Sequence, residues 1–204
     1  MPALSQLRRL AVNIGGAVGA GWFAVASVRS VVVTPSPIGV LLVVEQTLFV
    51  GLFLFRRPAR HVSRRSWDWL LAFGGTFAGL GLRPIGVHAA WSVGADLALQ
   101  VSGLAISITS LLALGRAFGF VAADRGLVRR GPYAVVRHPI YLGYFLVQLG
   151  FLLANAAVWN VLVVVLSTGC NAGRAFAEEQ VLAESAEYGD YRRQVRFRFF
   201  PYIW

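Results

Sequence analysis

The sequence predicts an all-α protein: a polytopic membrane bundle of about six transmembrane helices, followed by a C-terminal cytoplasmic helix and an interfacial tail. Three observations support this fold class. Of the 204 residues, 57% are hydrophobic and only 14% are charged, whereas soluble domains carry about a quarter of their residues as charged side chains. The apolar residues form long runs with few or no charges, which is typical of helices surrounded by lipid. The basic residues lie between those runs.

The six apolar runs cover about residues 10–28, 38–55, 67–82, 95–114, 140–153 and 158–177. A Thr-Pro-Ser-Pro break at 34–37 separates the first run from the second, and Asn-Ala-Ala at 155–157 separates the last two. Since roughly 20 helical residues cross a bilayer, the third and fifth runs are short. The fifth and sixth are expected to form a tight helical hairpin.

The arginines predict the orientation of the chain. All 19 basic residues are arginines, and with a cytoplasmic N-terminus only Arg29 and Arg83 fall on the far side of the membrane. Because basic residues concentrate in cytoplasmic connections, both termini are expected in the cytoplasm, and the arginine-only, Ala/Val/Gly-rich composition favours a bacterial inner membrane. The same distribution favours contacts with anionic membrane lipids over binding of nucleic acid.

Two segments carry most of the polar chemistry. The connection at 115–139 is longer than a helix–helix turn requires. The segment 178–204 begins as a continuation of the sixth helix and ends in a mixture of Arg, Phe, Tyr and Trp that suits the membrane interface. We therefore divide the chain into N-terminal transmembrane helices, 1–114, and a catalytic half, 115–204.

The first candidate cluster is Arg-His-Pro-Ile-Tyr-Leu-Gly at 137–143. Pro139 fits the first position of a helix, so free backbone N–H groups would face a ligand carboxylate. Tyr133 and Tyr141 offer ring faces that suit a sulfonium cation, and Gly143 permits close approach. The alternative is a proline-capped helix start with interfacial aromatic residues.

The second cluster is Arg174, Glu178 and Glu179 at the end of the sixth run. Arg174 and Glu178 are four residues apart and share a helix face. They could form an ion pair at the membrane boundary, or Glu178 could bind a ligand while Arg174 holds an anionic group. The spacing alone leaves both alternatives open. With one cysteine and three scattered histidines, no metal site is predicted.

Together the two clusters resemble the superfamily of isoprenylcysteine carboxyl methyltransferases and phospholipid methyltransferases, which are membrane enzymes. The resemblance covers about residues 115–204. Besides the two clusters it rests on Gly-Leu-Val at 126–128, Gly-Pro-Tyr at 131–133, Tyr-Gly-Asp-Tyr at 188–191, Val195 and Pro201.

The resemblance implies S-adenosylmethionine as cofactor, without a Rossmann fold. The residues implied to bind it are Leu127, Val128, Tyr133, His138, Pro139, Ile140, Tyr141, Gly143 and Glu178. Arg174 matches the position that meets a substrate carboxylate, and Glu179 or His138 is the candidate base if the nucleophile is an amine.

The implied substrate is lipophilic. We expect a pocket that is open to the cytosol for the cofactor and, where the short fifth run and Gly143 leave room, open sideways to lipid for the substrate. Gln194 stands where carboxyl methyltransferases tend to have a second basic residue, a place that Arg193, Arg196 or Arg198 could fill. Because the composition suggests a bacterium, a prenylated protein is not the expected substrate.

Two other functions remain open at this stage. A membrane reductase using NADPH on a lipid enone shares a similar motif, and Arg129, Arg130 and Arg137 could then meet a 2′-phosphate. A non-catalytic membrane scaffold would bind neither cofactor. The polar residues Glu45, Gln46 and Asp96, within or beside apolar runs, are expected to form hydrogen bonds between helices.

Overall fold

The computed structural model describes residues 2–63, 65–86, 92 and 94–203. Within these ranges the fold is helical, as predicted. The seven α-helices are α1 (Pro2–Val33), α2 (Pro37–Phe55), α3 (Ser66–Phe77), α4 (Ala95–Leu114), α5 (Pro139–Ala154), α6 (Val158–Leu182) and α7 (Ala186–Gln194).

Three of these helices are long and apolar enough to cross a membrane, over Leu10–Val33, Pro37–Phe55 and Ala95–Ala117. Only 11% of the residues in the first two of these segments are buried within the protein, which leaves their apolar side chains to lipid. α5 is apolar but shorter. α3 has 12 residues and passes into a 3₁₀ turn at Ala78–Gly81. A helical membrane protein is therefore confirmed, and the number of six crossings stays a prediction.

Small residues join α4 to α5 at very short distance. A methyl group placed on Gly143 of α5 would lie 2.7 Å from the carbonyl oxygen of Gly103 on α4, and 3.0 Å from Ser107. Two turns further along α5, a methyl group on Gly150 would lie 2.6 Å from the carbonyl oxygen of Asp96 on α4. Close approach of backbones through glycine is a common way of packing membrane helices, and here it holds α5 against α4.

A buried hydrogen bond joins α2 to α4. Glu45 is 5% exposed and accepts a hydrogen bond from the hydroxyl of Ser107 at 2.5 Å. This contact agrees with the expectation that Glu45 bonds between helices. Asp96 acts at the start of its own helix, where its carboxylate accepts from the backbone N–H of Gly94 at 3.0 Å.

Two backbone pairings that the sequence did not predict bring the connections together. The strands β1 (His61–Val62) and β2 (Ala123–Asp124) pair antiparallel, which joins the connection after α2 to the connection after α4. The C-terminal tail pairs with the segment before α5, since the N–H groups of Arg137 and His138 donate to the carbonyls of Phe197 and Arg198, both at 2.9 Å. The polar segments of the chain are thereby gathered on one end of the bundle.

Candidate active site

A cavity lies where these connections meet. It is bounded by the connection 114–128, the first turns of α5, the end of α6, and α7. The empty space between these elements is about 910 Å³ when the open mouth and its solvent are included. The predicted residues that line it are Leu127, Val128, Tyr133, His138, Ile140, Tyr141, Arg174 and Glu178.

The start of α5 has the geometry that the sequence predicts. Pro139 is its first residue, and His138 caps it without a side-chain hydrogen bond to the helix. The His138 side chain is buried, and its ring stacks on that of Tyr141 with centroids 5.8 Å apart. The absence of a side-chain cap leaves the first-turn N–H groups of α5 to other partners.

Glu178 connects α6 to this first turn. Its carboxylate accepts a hydrogen bond from the hydroxyl of Tyr141 at 2.5 Å, and its second oxygen lies 3.8 Å from Nδ1 of His138. The side chain remains 27% exposed and lines the cavity. Glu178 therefore presents a fixed carboxylate to whatever the cavity holds.

Arg174 does not share the partners of Glu178. One terminal nitrogen donates to the carbonyl of Phe120 at 2.9 Å and the other to the hydroxyl of Thr76 at 3.3 Å. Its guanidinium lies over the ring of Tyr141, 5.3 Å from the centroid. Its Nε is buried without a hydrogen-bond partner. Of the two alternatives for Arg174 and Glu178, the structure does not show the helix-surface ion pair.

Glu179 lies outside the lining of the cavity, in a cluster of cations. It is 3.0 Å from Nε of Arg137, 3.2 Å from Nε2 of His138 and 3.3 Å from Nε of Arg198. Burial works against ionisation, but the hydrogen bond from His138 and the nearby positive charges outweigh it and lower the pKa of Glu179 to about 2. Such a carboxyl group is a weak base.

Tyr133 is held from α7. The hydroxyl of Tyr191 donates to the carbonyl of Tyr133 at 2.7 Å in a buried position, and Tyr191 packs with Tyr188, Val195 and the half-buried Leu127. Burial, with the charge of Glu178 as a lesser cause, raises the pKa of Tyr133 well above its usual value. The Tyr133 phenol therefore stays protonated at neutral pH and can act as a hydrogen-bond donor.

The residues of this site lie in a region that matches a known protein family. The family model described as phospholipid methyltransferase matches residues 91–190. The chain belongs, through these residues, to the superfamily of integral membrane methyltransferases. The resemblance inferred from the two clusters is thus confirmed, and the match extends it back through α4. No curated protein matches the chain significantly.

Two residues predicted to contact the cofactor of this membrane methyltransferase lie elsewhere. Gly143 faces Gly103 and Ser107 on α4, so its missing side chain serves helix packing and neither ligand contact nor a lateral opening. Pro139 is fully buried in the first turn of α5 and does not line the cavity. Its fixed backbone starts the helix and so positions its neighbours.

Among the lining residues of the cavity that the sequence did not predict are two polar ones, Arg125 and Tyr144. Tyr144 is one turn beyond Tyr141, and that spacing could have indicated it. Arg125 was counted only as one of the cytoplasmic arginines, because a single arginine in a loop has no periodic signal. In the structure its Nε and Nη1 atoms are buried without a partner.

Proposed function

We propose that this membrane methyltransferase uses S-adenosylmethionine to methylate a lipophilic substrate, a carboxylate in the simplest case, at the cytoplasmic face of a bacterial inner membrane. One observation carries the proposal. Residues that the family resemblance assigns to the cofactor, from segments up to 51 positions apart (Leu127 to Glu178), line the same cavity as Arg174. A generic membrane scaffold has no need of this convergence.

The residues of the cavity fit such a cofactor. Leu127, Val128 and Tyr133 offer apolar and aromatic surface for an adenosine group. His138, Tyr141 and Glu178 offer a ring face and a carboxylate to a cationic amino-acid end. When bound, the cofactor would supply an electrophilic methyl group on a sulfonium.

The role we propose for Arg174 is to hold the substrate carboxylate. Its unpartnered Nε is a free donor, and the bonds to Phe120 and Thr76 hold the guanidinium in place. A carboxylate nucleophile needs no general base, so alignment and exclusion of water provide most of the rate. Glu179 then acts as a positioning residue that orients His138 and does not remove a proton.

The apolar part of the substrate has a place beside the first cavity. A second groove lies between α5, α6 and the C-terminal tail, and Tyr141 borders both. It is lined mainly by apolar side chains, including Leu142, Phe145 and Phe200. We propose that the lipid chain occupies this groove, which replaces the lateral opening expected at Gly143.

Binding of S-adenosylhomocysteine to the purified protein in detergent, measured by calorimetry, tests the cofactor. We expect micromolar affinity, lost at least tenfold in Glu178→Ala and in His138→Ala. Glu184→Ala, at an exposed glutamate in the turn that follows the same helix, is the matched control and should bind normally. NADPH is titrated in parallel. Binding of NADPH without S-adenosylhomocysteine would replace the proposal with the reductase.

Arg174→Gln tests the substrate role separately. We expect S-adenosylhomocysteine to bind within about twofold of wild type while methyl transfer to a carboxylate lipid from a panel of candidate substrates falls at least a hundredfold. Full turnover in this variant would remove Arg174 from the substrate site.

A further inference from the structure

We propose that Arg125 forms a second anion subsite in the cavity and binds a carboxylate or phosphate group of a molecule held there. This inference rests on the proposed function for the identity of that molecule, which is either the methyl donor with its amino-acid carboxylate or a lipid substrate with an anionic head group. The residue itself is assigned by its surroundings.

Arg125 is a half-buried cation, and the acidic residues near it form hydrogen bonds with other groups. Its Nε and Nη1 atoms are buried without a hydrogen-bond partner. The adjacent carboxylate, Asp124, accepts from the backbone N–H of Gly126 at 2.9 Å and lies 4.0 Å from Arg60. Glu178, the other nearby acid, is bonded to Tyr141. Among the described residues none forms an ion pair or a hydrogen bond with the Arg125 side chain, and Glu178 acts on its charge without contact. Buried charged atoms without a partner are costly unless a ligand pairs with them.

A second cation adds to the positive potential. Arg56 directs its Nε to the side-chain oxygen of Asn13 at 2.7 Å, but its charge acts on Arg125. Burial first and the charge of Arg56 second lower the pKa of Arg125 to about 10, with Glu178 opposing them. Arg125 therefore remains charged at neutral pH, in a place where its own protein makes the charge unfavourable.

The chain leaves space for this guanidinium. A methyl group on Gly119 would lie 2.3 Å from Nη1 of Arg125, so only glycine permits the observed position of the side chain. The pairing of β1 with β2 ends at Asp124 and fixes the backbone next to Arg125. The orientation toward the cavity is thus held by the surrounding backbone.

The charges of the cavity indicate the class of ligand. Glu179 does not line the cavity, and it neutralises Arg137, which does, together with Arg198, which does not. The remaining charged groups of the lining are the cations Arg125 and Arg174 and one carboxylate, Glu178. The excess positive charge favours an anionic group, and guanidinium donors bind carboxylate and phosphate oxygens well.

The test compares pairs of ligands in which only one member carries the anionic group. For the methyl donor, S-adenosylhomocysteine is compared with 5′-methylthioadenosine, which lacks the amino-acid end with both its carboxylate and its amine. For the lipid, lysophosphatidic acid is compared with a neutral monoacylglycerol in an uncharged detergent. Binding to wild type, Arg125→Gln and Gly119→Ala is measured by thermophoresis. Arg130→Gln, an exposed arginine of the same connection, makes the same change of charge.

If Arg125 holds the carboxylate of the donor, Arg125→Gln weakens S-adenosylhomocysteine at least tenfold and leaves methylthioadenosine unchanged. If it holds the head group of the substrate, the preference for the acidic lipid over the neutral one disappears and S-adenosylhomocysteine binds normally. Gly119→Ala keeps the charge but displaces the guanidinium, so it should reproduce the loss in part. Arg130→Gln should stay within twofold for every ligand.

The proposal is overturned if Arg125→Gln and Gly119→Ala, both folded by circular dichroism, change neither ligand pair more than Arg130→Gln does. Failure of the proposed function gives a different result. Wild type would then not bind S-adenosylhomocysteine, while a preference for the acidic lipid that depends on Arg125 would still support the subsite.

Discussion

The two sides of the cavity treat buried charge in opposite ways. On the tail side, Glu179 is surrounded by Arg137, His138 and Arg198 at 3.0–3.3 Å. On the loop side, Arg125 has two buried nitrogens without partners, and the charge that acts on it most strongly is another cation, Arg56.

This difference distinguishes charged groups that stabilise the fold from a charged group that binds a ligand. A buried cluster in which opposite charges lie against one another fixes one arrangement of the chain, whereas buried charged atoms with no opposite charge against them are stabilised only when a ligand arrives. The tail side therefore holds the first turn of α5 in place, and the loop side is available for recognition. Each of the following variants tests one side of that contrast.

The largest expected effect is at the centre of the tail side. Glu179→Ala leaves Arg137 and Arg198 without their shared partner, and removal of one member of a buried pair costs about 3–5 kcal/mol. We expect a loss of this order in the free energy of unfolding in mixed micelles. Asp190→Ala removes an exposed pair with Arg193 and should cost at most about 1 kcal/mol. Equal losses in the two variants would contradict the contrast.

The same cluster predicts a pH dependence. Folding lowers the pKa of Glu179 from 4.5 to about 2, so its contribution to stability is complete above about pH 4.5 and is lost as the pH falls toward 2. The difference in thermal stability between wild type and Glu179→Gln should be constant at about pH 5–7 and should shrink below about pH 4. A difference that persists unchanged into acid would show that Glu179 stabilises the fold without its charge.

The contrast also shows what the sequence could reveal. Hydrophobic runs predicted the helices, Pro139 predicted where α5 begins, and the spacing of Arg174 and Glu178 placed them on one helix. The apolar run at 67–82 overestimated the length of α3. Hydropathy counts the glycines at 74, 75, 79 and 81 as membrane residues, although glycine weakens a helix.

Side-chain partners were harder to predict than helices. Gly143 was interpreted as a point of ligand approach, but an apolar run does not say which face meets α4. The pairing of Glu179 with Arg198 joins residues of α6 and the tail, and Arg125 depends on a two-residue strand pair. Contacts of this kind arise from tertiary packing and leave no periodic pattern in the chain.

A smaller effect is expected where α7 supports the cavity. Tyr191→Phe removes the hydroxyl that donates to the carbonyl of Tyr133 and leaves that carbonyl buried, at a cost of about 1–3 kcal/mol. Affinity for S-adenosylhomocysteine should fall with it, because Tyr133 is then held less firmly. Tyr202→Phe, at a tyrosine that is 90% exposed, should change neither stability nor affinity. If Tyr191→Phe changed neither stability nor affinity, the tail alone would hold Tyr133 in place.

The smallest effect is expected on the loop side, and its sign is opposite. Arg125→Met keeps much of the length of the side chain but removes its unpaired charge, so the ligand-free protein should gain stability, by about 1 kcal/mol. Arg130→Met should not produce this gain, because its guanidinium is exposed. A ligand that binds at Arg125 should then stabilise wild type more than Arg125→Met. The difference in their free energies of unfolding should therefore become smaller or change sign. A loss of stability in ligand-free Arg125→Met would instead mean that the arginine is structural, and the two sides of the cavity would no longer differ in kind.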